Sequence, residues 1–184
     1  MLFQLITTHP ESIGAILKNT PVWVGGLFLG LMGLGFSQAR ARTASLLRVS
    51  IMPVTMTGFS IWGMTAAFGQ STQFVQTLLA WTGAMAVMAA AVGLGRANAT
   101  YDRSTRSFTM PGSLVPMALI LGIFLTKYWV GVELAMQPRL AQDGSYTVII
   151  GGIYGFFSGI FIGRAARLMK LAFAPSARMS ALQA

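Results

Sequence analysis

Lys127 is the residue of this sequence whose type and position most strongly suggest chemistry. It lies thirteen residues after Leu114 in a long apolar segment, or about 20 Å along a helix that rises roughly 1.5 Å per residue. In a bilayer this position is past the midplane, where a charged side chain costs roughly 2.5–3.5 kcal/mol to insert. Lys127 therefore requires a partner or a hydrated cavity, and we select it as a candidate binding residue.

Two neighbours define the alternatives for this lysine. Glu133 is an acid well within the same segment, but a separation of six residues turns it about 120° away around a helix. The two charges therefore do not match the usual three- or four-residue pairing. Tyr128 and Trp129 follow the lysine directly, and in the alternative Lys127 extends towards the membrane interface beside them. Glu133 and Tyr128 remain candidate binding residues.

Hydroxyl side chains in the second apolar segment are further candidates for lining a path. We select Thr55 and Ser60, with Thr57 and Thr65 on the same segment. Hydroxyls in membrane helices more often bond to a carbonyl one turn back in their own helix. The sequence leaves both roles open.

The composition excludes most catalytic and metal chemistry. The chain has no cysteine and a single histidine, His9, which excludes thiol chemistry and a multi-histidine site within one chain. Carboxylates, histidines and nucleophiles do not converge on any segment, so we predict no enzyme, cofactor or metal. The net charge of +9 indicates basic loops beside anionic lipid rather than a nucleic-acid site.

The apolar segments that position these residues predict an all-α, polytopic transmembrane bundle. Only 9% of the 184 residues are charged, whereas a soluble domain carries about 25%. Pro21 and Pro111–Ser113 mark two helix starts. A spanning helix needs about 20 mainly apolar residues. Five segments qualify, at residues 21–38, 46–68, 74–94, 114–136 and 147–173.

The positions of lysine and arginine predict the orientation of the bundle. The N-terminal tail and the second and fourth connections together hold two, whereas the other connections, the C-terminal tail and the segment ends beside them hold ten. Basic loops stay in the cytoplasm, which predicts a periplasmic N-terminus and a cytoplasmic C-terminus. We divide the chain into a tail at 1–20 with a short interfacial helix, a transmembrane domain at 21–173 and a cytoplasmic tail at 174–184. The connection Tyr101–Phe108 is expected to form a small cytoplasmic hairpin.

Glycines at regular spacing predict close helix packing. One stripe lies on the fifth segment and another, Gly26 and Gly30 with Gly33, lies on the first. Small residues let helix backbones approach closely in lipid. Either the two stripes pack together within one chain, or one faces a second copy in a homo-oligomer. The stripe of the fifth segment consists of Gly151, Gly155, Gly159 and Gly163.

Arginines in the basic connections predict contacts with lipid phosphate. Membrane lipids are therefore expected partners, and nucleic acid is not. The residues selected are Arg40, Arg42, Arg103 and Arg106.

Several motifs resemble a family of small proteobacterial inner-membrane proteins that has no assigned function. The motifs are Met110-Pro-Gly-Ser-Leu-Val-Pro, Ile123-Phe-Leu-Thr-Lys-Tyr, Ala135-Met-Gln-Pro, Gly35-Phe-Ser-Gln-Ala-Arg and the glycine-rich fifth segment from Tyr154 to Arg164. The resemblance implies an inner-membrane location and places Lys127-Tyr128 and Pro111–Ser113 in the family pattern. It transfers no catalytic residue.

Two functions compete. The first is a transporter or channel component for an ion or small solute, acting as an oligomer because five helices are few for a complete carrier. The alternative is a non-catalytic accessory or assembly protein whose glycine faces dock onto another membrane protein. A cavity that reaches Lys127 would favour the first.

Overall fold

The computed structural model describes residue 14 and residues 18–173 of the chain, which form five helices and one small sheet. The predicted interfacial helix falls largely outside the described residues, as do His9 and the tail at 174–184. The helices are α1 (Val22–Gln38), α2 (Leu46–Phe68), α3 (Phe74–Gly93), α4 (Val115–Met136) and α5 (Gly144–Phe173). The strands are β1 (Arg42–Ser45), β2 (Thr100–Asp102) and β3 (Ser107–Met110), and a short 3-10 helix (Pro138–Gln142) precedes α5.

Four helices, α2 to α5, are long and apolar enough to cross a membrane, whereas α1 has 17 residues and is shorter. Their outer faces carry large apolar side chains, such as Val54 and Trp62, which are 72% and 69% exposed. Apolar surface on this scale is typical of contact with lipid or with another apolar protein surface.

The predicted helix boundaries hold within one residue for α1 to α4. Helix α5 begins three residues earlier than predicted, at Gly144. The reason is a cap, since the Asp143 carboxylate accepts the backbone N–H of Tyr146 at 2.9 Å and satisfies a donor of the first turn.

Helix α5 lies at the centre and packs its glycine stripe against α3. A Cβ at Gly151 or Gly155 would collide with the backbone carbonyl of Thr77 or Trp81, and one at Gly159 or Gly163 would meet that of Met85 or Ala89. Both rows advance four residues at a time, so the two backbones stay in contact over about three turns.

This packing differs from the expected pairing of the α5 and α1 stripes. Helix α1 lies against α4 instead, where Gly35 contacts Met117. A Cβ at Gly26 or Gly30 would meet nothing within 4 Å. The surface that α3 presents to the α5 stripe is its own backbone together with side-chain atoms of Thr77, Met88 and Val92, so no second glycine row is needed.

The three strands form one antiparallel sheet in the order β1-β3-β2 at the end of the bundle where α2 and α4 begin. Phe108 is fully buried and pairs with Ala44 of β1 and with Tyr101 of β2. The ring centroids of Phe108 and Tyr101 are 4.8 Å apart. Val49 of α2 and Ala165 of α5 complete this core. We call this end of the molecule the sheet end.

The hairpin at Tyr101–Phe108 forms as expected, but the third strand, β1, is absent from the all-α prediction. β1 is four residues long and runs directly into α2, so it has too few alternating positions to be distinguished from a loop. Its pairing with β3 joins the first basic connection to the third.

Asp102 stabilises the hairpin turn. Its carboxylate accepts the Ser104 hydroxyl at 2.7 Å, the Thr105 hydroxyl at 2.8 Å and the Ser104 backbone N–H at 2.9 Å. These hydrogen bonds, with that of the Ser104 hydroxyl contributing most, lower the pKa of Asp102 below its ordinary value of 3.8.

We expect Asp102 to titrate below pH 3.8. A depressed folded-state pKa means that the turn is fully stabilised above the unfolded value and loses this stabilisation as the pH falls through the folded value. The carboxyl 13C shift of labelled protein, assigned with Asp102→Asn, measures the midpoint. Ser104→Ala should raise that midpoint, and a wild-type midpoint at or above 3.8 would contradict the hydrogen-bonded turn.

Candidate functional site

Lys127 lies near the middle of α4 and reaches across to α5. Its Nζ is 4.7 Å from the centroid of the Tyr154 ring, in a cation–π arrangement. The same Nζ lies so close to Gly63 of α2 that a Cβ there would collide with it. The lysine thus joins three helices, and the neighbour of its ammonium is an aromatic ring rather than a carboxylate.

The Lys127 side chain lines a crevice between α2, α4 and α5 with a volume of about 60 Å³. This is room for roughly two waters at about 30 Å³ each. Most of the wall is apolar, and the residues with hydroxyls are Ser60, Thr126, Tyr154 and Ser158. Lys127 is itself exposed in the isolated chain, so the crevice is open at its side. It suits a small ion and not a large solute.

Ser60 holds the floor of the crevice in place. Its Oγ accepts the indole N–H of Trp81 at 3.0 Å and lies 3.5 Å from the backbone carbonyl of Tyr154. The Ser158 hydroxyl donates to the same carbonyl at 2.9 Å. These bonds connect α2, α3 and α5 and fix the ring over which the ammonium lies.

The structure brings Lys127 and Ser60 together and leaves the other predicted binding residues elsewhere. Glu133 is buried beside Tyr146 near the C-terminal end of α4. Tyr128 bonds to the hydroxyl of Thr20 and stacks on Phe124. Thr55 donates to its own helix at Ile51 O, 3.1 Å away. The back-bonding alternative therefore describes Thr55, whereas Ser60 bonds across helices.

A second cavity, of about 110 Å³, lies between α2 and α5 on the side of the crevice towards the sheet end. It carries Arg42 of β1, Arg48 of α2 and Arg164 of α5, and Phe161 lines both cavities. We call the crevice and this cavity together the cationic groove. Among the residues that the structure describes, no carboxylate lines either part.

The charges at the sheet end repel one another. Arg42 is partly buried, and burial, followed by the nearby charge of Arg48, lowers the pKa of its guanidinium. Arg164 lies within electrostatic range of both Arg42 and Arg167. A cluster of this kind attracts anions.

Of the four arginines predicted to contact lipid phosphate, Arg42 lines the groove. Arg40 is exposed beyond the end of α1, and Arg103 and Arg106 lie at the exposed hairpin turn. Arg106 has a positive φ of 50° there, and its carbonyl accepts the N–H of Leu46 at 3.1 Å.

Arg164 and Arg167 were not among the predicted site residues, because basic residues at the end of a span are expected for reasons of orientation alone. Their spacing of three residues directly after Gly163 places both on nearby faces of the last turns of α5. This spacing is the feature of the sequence that could have identified the two arginines as a pair at one site.

Comparison with known proteins gives a family and no function. A family model matches residues 1–178 of the chain. The chain belongs to DUF6622, a family of unknown function. Neither a curated protein nor a solved structure matches it. The resemblance to a family without an assigned function is thereby confirmed.

The geometry of this DUF6622 chain limits the chemistry that its described residues offer. Within residues 18–173, no three histidine or acidic side chains are grouped to hold a metal ion. What the structure does bring together is positive charge, one lysine and three arginines along one groove. The arrangement can attract and hold a small anion.

Proposed function

We propose that this protein is a multi-pass protein of the bacterial inner membrane, with five spans and a cytoplasmic C-terminus, that acts as a transport component for a small anion. The observation that carries the proposal is the cationic groove, in which Lys127 and three arginines line adjoining cavities without a carboxylate among the described residues. The sheet end then faces the cytoplasm, as the distribution of basic residues predicts.

The cationic groove offers an anion a path along α5, from the arginines at the sheet end to Lys127. Tyr154, Ser158, Phe161 and Arg164 follow one another along one face of α5, over about 15 Å at roughly 1.5 Å per residue. An anion enters among the arginines, passes Phe161 and reaches the ammonium of Lys127. The Tyr154 ring covers one side of that ammonium, and its remaining N–H donors can bind the ion.

Electrostatics favours an anion over a cation at every step. A unit charge 4 Å from Lys127 gains or loses about 4 kcal/mol at an effective dielectric constant of about 20. An anion also offsets part of the cost of holding the lysine within the bilayer.

The open side of the crevice favours an oligomer. Lys127 is exposed at that side, and five helices do not enclose it. A second copy packed over the opening would separate the bound ion from lipid. The proposed transporter therefore acts as a homo-oligomer.

Flux through reconstituted vesicles tests the proposal. Liposomes that contain the full chain should pass chloride or nitrate faster than sodium or potassium, and protein-free liposomes should pass neither. Equal anion and cation flux, or flux no greater than that of empty liposomes, would reject it.

We expect Gly63→Ala to lower anion flux roughly tenfold, since the added Cβ would displace the Lys127 ammonium and a lost cation–π contact of about 1–2 kcal/mol corresponds to that factor. Gly58→Ala is the matched control on the same helix, because a Cβ there meets nothing within 4 Å. Thermal unfolding should change little in both variants, since the group displaced is the flexible end of a lysine. Equal flux in the two variants would contradict the assigned position.

The alternative, an accessory or assembly protein, has one observation in its favour. A Cβ on any of four glycines of α1 would meet nothing within 4 Å, so this face of α1 is open to another helix. The four are Gly25, Gly26, Gly30 and Gly33. Vesicles without anion flux, combined with a monomeric wild-type protein in detergent, would favour this reading over transport.

A further inference from the structure

A third cavity adjoins the cationic groove at the sheet end, where Met110, Arg164 and Leu168 line both. Its volume is about 260 Å³, several times the roughly 30 Å³ of one water. The walls come from the connection that follows α3, from the Pro111–Ser113 turn before α4 and from the end of α5. We call it the arginine pocket.

Three arginines line the arginine pocket, Arg96, Arg164 and Arg167. No carboxylate lines it among the described residues. Three positive charges around one cavity repel one another, and a bound anion offsets that repulsion. Guanidinium groups match the planar pairs of oxygens on a phosphate and bind them with two parallel hydrogen bonds.

Arg167 has unused donor capacity at this site. Its Nη1 donates to the carbonyl of Arg96 at 3.3 Å, which holds the guanidinium beside the pocket. Its Nε is buried and has no hydrogen-bond partner among the residues that the structure describes. A buried donor without an acceptor is rare in native proteins.

The opposite wall is preformed. A Cβ on Gly112 would collide with the backbone carbonyl of Ala39 at the end of α1, so the turn is pressed against that helix. Ser113 Oγ accepts the N–H of Val115 at 3.2 Å, which leaves its own O–H free to donate. Helix α4 begins two residues after Ser113, at Val115, and the amino end of a helix favours an anion.

We infer that the arginine pocket binds a phosphate group. The group belongs either to the headgroup of an anionic phospholipid or to a soluble phosphate compound, because both present the same tetrahedral oxyanion. Arg164 lines both this pocket and the cationic groove, whereas Arg96 and Arg167 line the pocket and not the groove. Replacing Arg96 or Arg167 therefore tests the pocket separately from the proposed transport.

Two measurements on the purified full chain test the site and distinguish the two sources. Native mass spectrometry of protein from mixed phosphatidylcholine and phosphatidylglycerol nanodiscs counts retained lipids. Thermal unfolding in detergent with inorganic phosphate, against chloride at equal ionic strength, detects a soluble ligand. Selective retention of phosphatidylglycerol assigns a lipid, and stabilisation by phosphate alone assigns a soluble compound.

Arg96→Gln and Arg167→Gln are the test variants, and Arg139→Gln, on the 3-10 helix away from the sheet end, is the control. Arg96 is exposed, so its replacement leaves folding intact even if that of Arg167 does not. We expect each test variant to weaken binding roughly tenfold, the factor for losing a hydrogen bond to a charged group. Binding unchanged in Arg96→Gln, or a wild type that selects neither phosphatidylglycerol nor phosphate, would overturn the inference.

Discussion

Gly155→Leu should separate α5 from α3 and lower the free energy of unfolding by about 3 kcal/mol or more. Even a Cβ at this position would overlap the backbone carbonyl of Trp81, and a backbone atom cannot move aside as a flexible side chain can. Overpacking of a tight contact typically costs about 1–3 kcal/mol, and leucine adds three more carbons. Thermal unfolding in detergent, followed by circular dichroism, measures the loss.

Gly152→Leu is the matched control for this prediction. It makes the same change on the same helix three residues away, where a Cβ meets nothing within 4 Å. Its unfolding temperature should stay close to that of the wild type. Equal destabilisation by the two substitutions would mean that leucine in α5 is harmful in general, and the specific contact with α3 would be rejected.

The glycine stripe could be found from the sequence, but its partner could not. Four glycines at four-residue spacing indicate a flat helix face whatever packs on it. The surface that α3 offers is its own backbone at Thr77, Trp81, Met85 and Ala89. The residue types there resemble those on lipid-facing helix surfaces, because lipid and a packed helix are both apolar. A second glycine stripe on α1 was the more visible candidate and was not the partner.

Helix positions followed from apolar length, which is why four of the five helices agree with prediction to within one residue. The sheet could not be predicted in the same way. Its strand β1 is only four residues long and pairs with β3, which lies over sixty residues later in the chain. Contacts of such long range leave no periodic pattern in the short segment itself.

The candidate site was predictable only where a single residue is unusual for its surroundings. Lys127 stood out because a charge within an apolar helix is costly. Gly63 and Tyr154 both lie against the Lys127 ammonium. Neither could be recognised from the sequence, because glycine and tyrosine are common in membrane helices. Arg164 and Arg167 lie at the end of a span, where basic residues are expected for reasons of orientation alone.

Lys127→Ala should abolish anion flux in reconstituted vesicles while the amount of folded protein stays the same. The substitution removes the charge within the membrane part of the groove and leaves the arginines at the sheet end in place. Stability should be unchanged or slightly increased, because the lysine is held over an aromatic ring rather than by a carboxylate and its insertion costs roughly 2.5–3.5 kcal/mol. Flux and thermal unfolding of the same preparation measure both effects.

Lys18→Ala and Lys127→Arg complete the experiment. Lys18 is exposed before α1, so its loss changes the net charge equally and should leave flux intact. Arginine keeps the charge but carries a wider head group, which the close approach of Gly63 does not accommodate, and we expect partial flux. Full flux in Lys127→Ala would remove the lysine from the path. A general surface potential depends on every exposed charge. Reduced flux in Lys18→Ala as well would therefore indicate that the total charge of the protein governs the rate, and not an ion bound at Lys127.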